Sequence, residues 1–240
     1  MKRYLYIFAM ILCIYCVAGL SFSYYMDRNA KPKPVPVKEY VVEDIKVVRD
    51  EDSRFNKLMI VAHPDDETLF GGAHLLSDEY VVVCVTCGVK QNRLDEYINV
   101  MNFSEDKYVY LAHTDLEPGA IISDWKNEKD IINEELDKII KSRDWDIIVT
   151  HNPEGEYGHK HHKMISQMVT NNVEDKDKLY YFGKFYKKGT INDAPVMDKE
   201  LYKKKREMLA LYVSQKACTD ESSLTYMFDH ENWLQYSDWK

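Results

Sequence analysis

The chain has little of what marks several protein classes. Basic charge is in deficit: 32 Lys and Arg face 40 Asp and Glu, for a net charge of −8 over 240 residues. Phosphate backbones are held by Lys and Arg clustered on one face, so this balance argues against nucleic acid as a main partner and favours a neutral or weakly charged one. Glycine (9) and proline (7) are ordinary in number and 45% of the chain is hydrophobic, which excludes collagen-like and disordered classes. The five cysteines are odd in number, and Cys13 and Cys16 fall in an apolar N-terminal stretch, leaving three for the rest. No disulfide framework follows. Cys84-Val85-Thr86-Cys87 has the C-x-x-C spacing of redox and zinc motifs. It lies in a β-branched strand-like run, where residues three apart point to opposite faces, and is read as two buried structural thiols.

What is present begins with Lys2-Arg3 and an almost wholly apolar stretch from Tyr4 to Tyr25, long enough to span a bilayer as a helix. No clean A-x-A site accompanies it, so a transmembrane or signal-anchor helix over 1–26 is expected in place of a cleaved signal peptide. Basic residues flank both ends, Lys2 and Arg3 on one side and Arg28, Lys31, Lys33 and Lys38 on the other, and the charge rule gives no orientation. The short N-terminal tail resembles a signal anchor, which would put the folded part outside the cytoplasm. Lys31-Pro32-Lys33-Pro34-Val35-Pro36 disfavours helix and opens a linker and lead-in over 27–55. Residues 56–240 suffice for one domain.

In that domain apolar runs alternate with helix-like segments. Strands are expected at 58–62, 80–86, 108–112, 145–150 and 179–182, and helices at 67–76, 92–103, 128–141, 161–170 and 199–213. Ile131, Ile132, Leu136, Ile139 and Ile140 form the apolar stripe of the third helix. Lys203-Lys204-Lys205-Arg206, on the last, is read as a solvated face. The alternation predicts a Rossmann-like α/β three-layer sandwich with a mainly parallel sheet.

Two polar clusters stand at strand carboxyl ends. His63-Pro64-Asp65-Asp66-Glu67 follows the first run and Tyr157-Gly158-His159-Lys160-His161-His162 follows the fourth. Such ends are where α/β folds place ligands. Catalytic zinc takes three protein groups and leaves a position for water. His63 and Asp66, three apart on a turn that Pro64 fixes, can address one ion, which leaves Asp65 beside it as a base. Either aspartate can alternatively cap the helix, and Glu67 suits its first turn. His159 and His162 share a helix face while His161 points elsewhere. One of the aligned pair can complete the metal site and the other, with Tyr157, can steady an oxyanion. His74, His113 and His230 stand alone and read as ordinary core or surface histidines.

Ala62-His63-Pro64-Asp65-Asp66-Glu67-Thr68 resembles the first signature of the PIG-L/LmbE-type deacetylase superfamily, zinc hydrolases that remove acetyl groups from N-acetylglucosamine-containing molecules. Thr86-Cys87-Gly88 with Arg93 and Glu96 is similar to its T-x-G…R-x-x-E segment, and Ser214-Gln215 to its late S-Q element. The resemblance runs from about Asn56 to Gln215. It implies one Zn²⁺ per chain on His63, Asp66 and His162, with Asp65 as general base. His159 would be the charged or hydrogen-bonding group that supports the tetrahedral intermediate and would also be placed to protonate the leaving amine, Tyr157 would contact the substrate carbonyl, and Arg93 would bind substrate. The second signature departs from G-H-P-D-H, with His161 at the aspartate position; a like charge there is expected to lower the pKa of His159. The implied activity is N-deacetylation of an N-acetylglucosamine-type sugar or glycoconjugate. An amidase for larger N-acyl or sugar-thiol conjugates, and an inactive membrane-anchored carbohydrate-binding protein, are the competing readings. Pocket specificity is expected in the loops at His113–Pro118 and Gly155-Glu156.

Overall fold

The computed structural model describes residues 54–119, 121–191, 195–219 and 224–239. The anchor expected over 1–26 and the linker up to residue 53 lie outside the described residues. Among the described residues no helix is long and apolar enough to cross a membrane.

The strands are β1 (Lys57–Val61), β2 (Tyr80–Cys84), β3 (Lys107–Tyr110), β4 (Leu116–Glu117), β5 (Ile121–Ile122), β6 (Ile147–Thr150), β7 (Leu179–Tyr181) and β8 (Leu234–Gln235). The principal helices are α1 (Asp66–Leu75), α2 (Gln91–Ser104), α3 (Lys129–Lys141), α4 (Lys160–Asn172) and α5 (Lys199–Leu209). Six strands form one sheet in the order β3-β2-β1-β6-β7-β8, parallel except for β8. The alternation of β1 shows why it is a three-layer fold. Leu58, Ile60 and Ala62 enter a core with Ile132 and Leu136 of α3 and Ile165 and Val169 of α4. Met59 and Val61 enter the opposite core with Leu75 of α1, Leu94 of α2 and Met208 of α5. Both faces of β1 are therefore dry, and truncating Ile60, which is fully buried, to alanine costs about 2–5 kcal/mol. β1 and β6 are neighbours, yet the chain leaves β1 towards β2 and leaves β6 towards β7. A crevice opens at their carboxyl ends, the place where open parallel sheets bind ligands.

Four expectations change. β2 ends at Cys84 and the chain bends into a single 3₁₀ turn at Cys87–Val89. Cys84 and Cys87 are both buried and unbridged, as expected, but they fall in the same core cluster, because the bend cancels the alternation that would have put them on opposite faces. Ile131 is exposed, and the stripe of α3 is Ile132, Leu136, Ile139 and Ile140. α5 stops at Leu209, short of residue 213, although Tyr212 is still buried. Lys205 does not belong to a solvated face. It is wholly buried, donating to Leu69 O at 2.8 Å and to Glu231 Oε1 at 2.6 Å. The β4–β5 hairpin and β8, two residues to a strand, are too short to show a period in sequence.

Candidate active site

The turn after β1 and the start of α4 bring the two polar clusters together. Asp66 opens α1 and returns Oδ2 to its own turn, 2.8 Å from the His63 N–H and 3.1 Å from His63 Nδ1. From α4, His162 places Nε2 3.2 Å from His63 Nδ1 and 3.3 Å from Asp66 Oδ2. All three residues are buried. Asp65 precedes α1 at the N-cap position with φ 119°, a strained value for a residue with a Cβ. Its carboxylate caps nothing; it lines a cavity of about 350 Å³ with His63, Asp66, Arg93, Tyr157 and His159. The strained backbone is held by Leu69 N–H to Asp65 O at 2.8 Å and by Asp65 N–H to Glu67 Oε2 at 3.1 Å. Glu67 is thus more than a favourable first-turn charge: it is fully buried, and Tyr212 and Thr68 also donate to its Oε1.

Sequence reasoning missed two parts of this site and misread two more. His151, directly after β6, is buried with Nε2 accepting the Ala62 N–H at 3.0 Å and Nδ1 3.1 Å from Glu156 Oε2. The same Glu156 oxygen lies 2.5 Å from His162 Nδ1. Glu156 therefore orients the histidines from beneath, while Tyr157 of the same loop lines the cavity. Asp115 accepts from Arg93 NH1 at 2.6 Å and sits 3.5 Å from His63 Nε2. Arg93 reaches the cavity as expected, but as an ion-paired group. His161 does not point elsewhere: it is fully buried, with Nδ1 3.0 Å from His63 Nε2. A histidine at the strand end and charged residues in a loop carry no period, so only the fold reveals them. Of the three solitary histidines, His113 is buried between Glu128 and Glu135, and His74 and His230 also lie away from the cavity. Ser214 and Gln215 line the cavity, and Ser214 takes both oxygens of Glu96, at 2.7 Å from N and 2.6 Å from Oγ.

The electrostatics favour a cation between the carboxylates. Burial opposes charge on His162, but Asp66 and Glu156 outweigh it and lift its pKa to about 10. Burial likewise resists ionisation of Asp66, yet His162, His151 and His63 hold its carboxyl well below the usual range. Asp65 is pushed well up by burial and by the Asp66 charge. His159 is drawn down to about 3, first by burial and then by His162 and His63. His161 contributes less than either, so the lowering expected at His159 comes chiefly from burial, His162 and His63.

The donor set fits a metal ion. Zinc at 2.0–2.1 Å from three tetrahedral donors requires them roughly 3.3–3.4 Å apart, and the three edges here are 3.1, 3.2 and 3.3 Å. His151 does not add its Nε2 to this triangle, because the Ala62 N–H occupies that lone pair; through Nδ1 it forms a second group of potential ligands with Glu156 and His162. His159 Nδ1 is buried without a partner, an orphan of the kind that clusters at functional sites. A larger groove of about 650 Å³ between α4 and the C-terminal residues holds none of these groups.

Among known proteins, residues 58–173 match the family described as PIG-L: GlcNAc-PI de-N-acetylase. An uncharacterized protein of Acanthamoeba polyphaga mimivirus is 34% identical over 163 residues, 61% of this chain and 68% of that protein. The chain belongs to the PIG-L family. Solved structures agree on the fold. The pseudoaglycone deacetylase Dbv21 superposes with a TM-score of 0.54 at 15% identity, covering 77% of this chain and 99% of its own. The zinc-inhibited form of teicoplanin deacetylase Orf2 gives 0.54 at 16% identity, covering 72% and 89%. In this PIG-L chain the family match spans both polar clusters, from β1 to the end of α4.

Proposed function

We propose that the protein is a zinc-dependent N-deacetylase of an N-acetylated amino sugar or glycoconjugate. The observation that carries this reading is the donor triangle of His63 Nδ1, Asp66 Oδ2 and His162 Nε2, with the free Asp65 carboxylate lining the same cavity. Zinc held there would act as a Lewis acid on water and on the acetyl carbonyl. Asp65 takes the proton of the attacking water as its oxygen adds to the carbonyl carbon. Tyr157 and His159 line the cavity, and the Tyr157 hydroxyl and the His159 ring N–H are the donors we assign to the oxyanion that develops. Burial and the neighbouring His162 and His63 lower the His159 pKa, which suits it to donate from a neutral ring in that role; this replaces the leaving-group acid that the resemblance implied for it. The proton therefore returns from Asp65 to the nitrogen as the C–N bond breaks, releasing acetate and a free amine. Arg93, locked to Asp115, presents a fixed cationic wall for the sugar part.

The sequence expectation of a membrane anchor with the domain outside the cytoplasm belongs to the same proposal, and a topology reporter at the C-terminus tests it. The chemistry is tested by acetate release from a panel of N-acetyl sugars and sugar-thiol conjugates, before and after chelation. Acetate release that stops with the chelator and returns with zinc is expected. Stoichiometric metal with no amide cleaved in the panel, or turnover indifferent to chelation, overturns the reading.

A further inference from the structure

We propose that His161 is a positioning residue that fixes which nitrogen of His63 faces the metal. The inference rests on the metal site just proposed. It starts from a backbone carbonyl: His161 Nε2 lies 2.9 Å from Ser123 O, which can only accept. His161 Nε2 therefore carries a hydrogen. Its other nitrogen, Nδ1, is 3.0 Å from His63 Nε2, and one of the two must donate. A neutral imidazole carries one hydrogen, and His161 spends it on Ser123 O, so His161 Nδ1 is the acceptor of the pair. Asp115 Oδ1, 3.5 Å from the same His63 Nε2, is a second acceptor for that hydrogen, while a cation between His63 Nδ1 and Asp66 Oδ2 would take up the Nδ1 lone pair. The hydrogen belongs to His63 Nε2, and His161 Nδ1 accepts it. His63 Nδ1 is then the unprotonated nitrogen, the one 3.1 Å from Asp66 Oδ2 and 3.2 Å from His162 Nε2.

The relay is built in as far as the outer loop. The His161 ring stacks on Trp125 with centroids 4.0 Å apart and planes 3° from parallel. Trp125 is pinned by its Nε1–H to Thr114 O at 2.6 Å and by its N–H to Ser123 Oγ at 3.2 Å, and Ser123 N–H bonds Asp115 O at 3.1 Å. Asp115, in the loop expected to bear on specificity, thus supplies the carboxylate beside His63, and Ser123 and Trp125, a few residues beyond that loop, supply the carbonyl that orients His161 and the ring that holds its plane. Glu156 does the corresponding work for His162 through Nδ1. The two imidazole ligands are therefore fixed by different chemistries, a carboxylate for one and a second imidazole for the other. Outer partners of metal-bound histidines set the ligand tautomer, and their loss typically costs 10–100-fold in affinity.

Two substitutions separate this role from packing. His161→Phe keeps a ring against Trp125 but removes the acceptor; His161→Asp keeps an acceptor at the Nδ1 position but places a charge in a buried site. Zinc affinity, read by competition with a chromophoric chelator, is expected to fall about 10–100-fold in His161→Phe and to stay within about threefold in His161→Asp. The reverse order, or unchanged affinity in His161→Phe, overturns the proposal. Should either variant fail to fold, long-range ¹H–¹⁵N spectra of the zinc-loaded native protein decide. An Nε2–H tautomer at His63 is expected there, and Nδ1–H would refute it. His63→Ala and His162→Ala that still bind zinc normally would sink the metal site itself; loss of zinc in both with wild-type affinity in His161→Phe would sink only the role of His161.

Discussion

Two buried polar clusters lie on either side of α1, and they are built to opposite rules. At its carboxyl-terminal end, Lys205, Glu231, His74 and Trp233 tie the helix to α5 and the C-terminal segment. Glu231 accepts from Lys205, from the Ala73 N–H at 2.9 Å and from His74 Nδ1 at 2.9 Å. His74 stacks on Trp233 at 3.5 Å, and Trp233 Nε1–H reaches Phe70 O at 2.8 Å. One cation meets one carboxylate, and both Glu231 oxygens are taken up by donors. At the amino-terminal end, around His63, five imidazoles and the carboxylates of Asp65, Asp66, Asp115 and Glu156 crowd together, with a strained Asp65 and an orphaned His159 nitrogen. The first cluster is complete as it stands. The second keeps a strained residue and an unpartnered nitrogen at the family's motif residues, and that contrast marks it as the candidate functional cluster.

The contrast breaks most sharply at Asp65. Asp65→Asn keeps shape and removes the base, so turnover is expected to drop about 10²–10⁴-fold while zinc content by metal analysis stays stoichiometric. Unchanged turnover would remove Asp65 from the mechanism. The corresponding change in the other cluster should move stability and spare the chemistry. Glu231→Ala leaves the Lys205 ammonium buried and unpaired, expected to cost about 3–5 kcal/mol in chemical denaturation, whereas Lys205→Met with Glu231→Leu should recover most of that loss. Burial raises the Glu231 carboxyl, but Lys205 and His74 outweigh it and hold its pKa below the usual value. A depressed carboxylate stabilises above its unfolded pKa and loses that contribution as pH falls through the folded one. Native protein should therefore lose stability in acid by an amount the apolar pair does not show.

Removing a donor from the candidate oxyanion site should have the next effect. Tyr157→Phe is expected to lower kcat by about 10²–10³-fold, with little change in zinc affinity. An effect confined to KM would reassign Tyr157 to ground-state binding.

How much of this the sequence shows depends on the range of the interaction. The parallel sheet is legible because Leu58–Ala62 and Tyr80–Cys84 carry continuous apolar runs, and the turn at His63–Asp66 is legible because its residues are neighbours in the chain. Lys205 is illegible: its partner Glu231 is 26 residues away and its ammonium is buried only because α5 packs on α1. His151, Glu156 and Asp115 are hidden for the same reason, each a single charged or polar residue whose meaning comes from a strand or helix far off in sequence. His161 shows the limit best, since its place on the helix suggested the wrong direction and only the Ser123 carbonyl from a distant loop explains its orientation.

The smallest expected effect lies where the two late motif pieces meet, at the cavity rim. Glu96 holds Ser214 by two hydrogen bonds at the edge of the cavity, in contact with neither the donor triangle nor Asp65. Glu96→Ala removes the clamp and frees the Ser214-Gln215 wall. A hydrogen bond of this kind contributes about 0.5–1.5 kcal/mol, equivalent to about 2–10-fold in binding. KM should rise by that factor while kcat and zinc affinity hold, since the groups that take and donate protons keep their places. A fall in kcat with KM unchanged would mean that Ser214 or Gln215 reaches the reacting amide, and the boundary between the sugar-holding wall and the chemical centre would have to be redrawn through them.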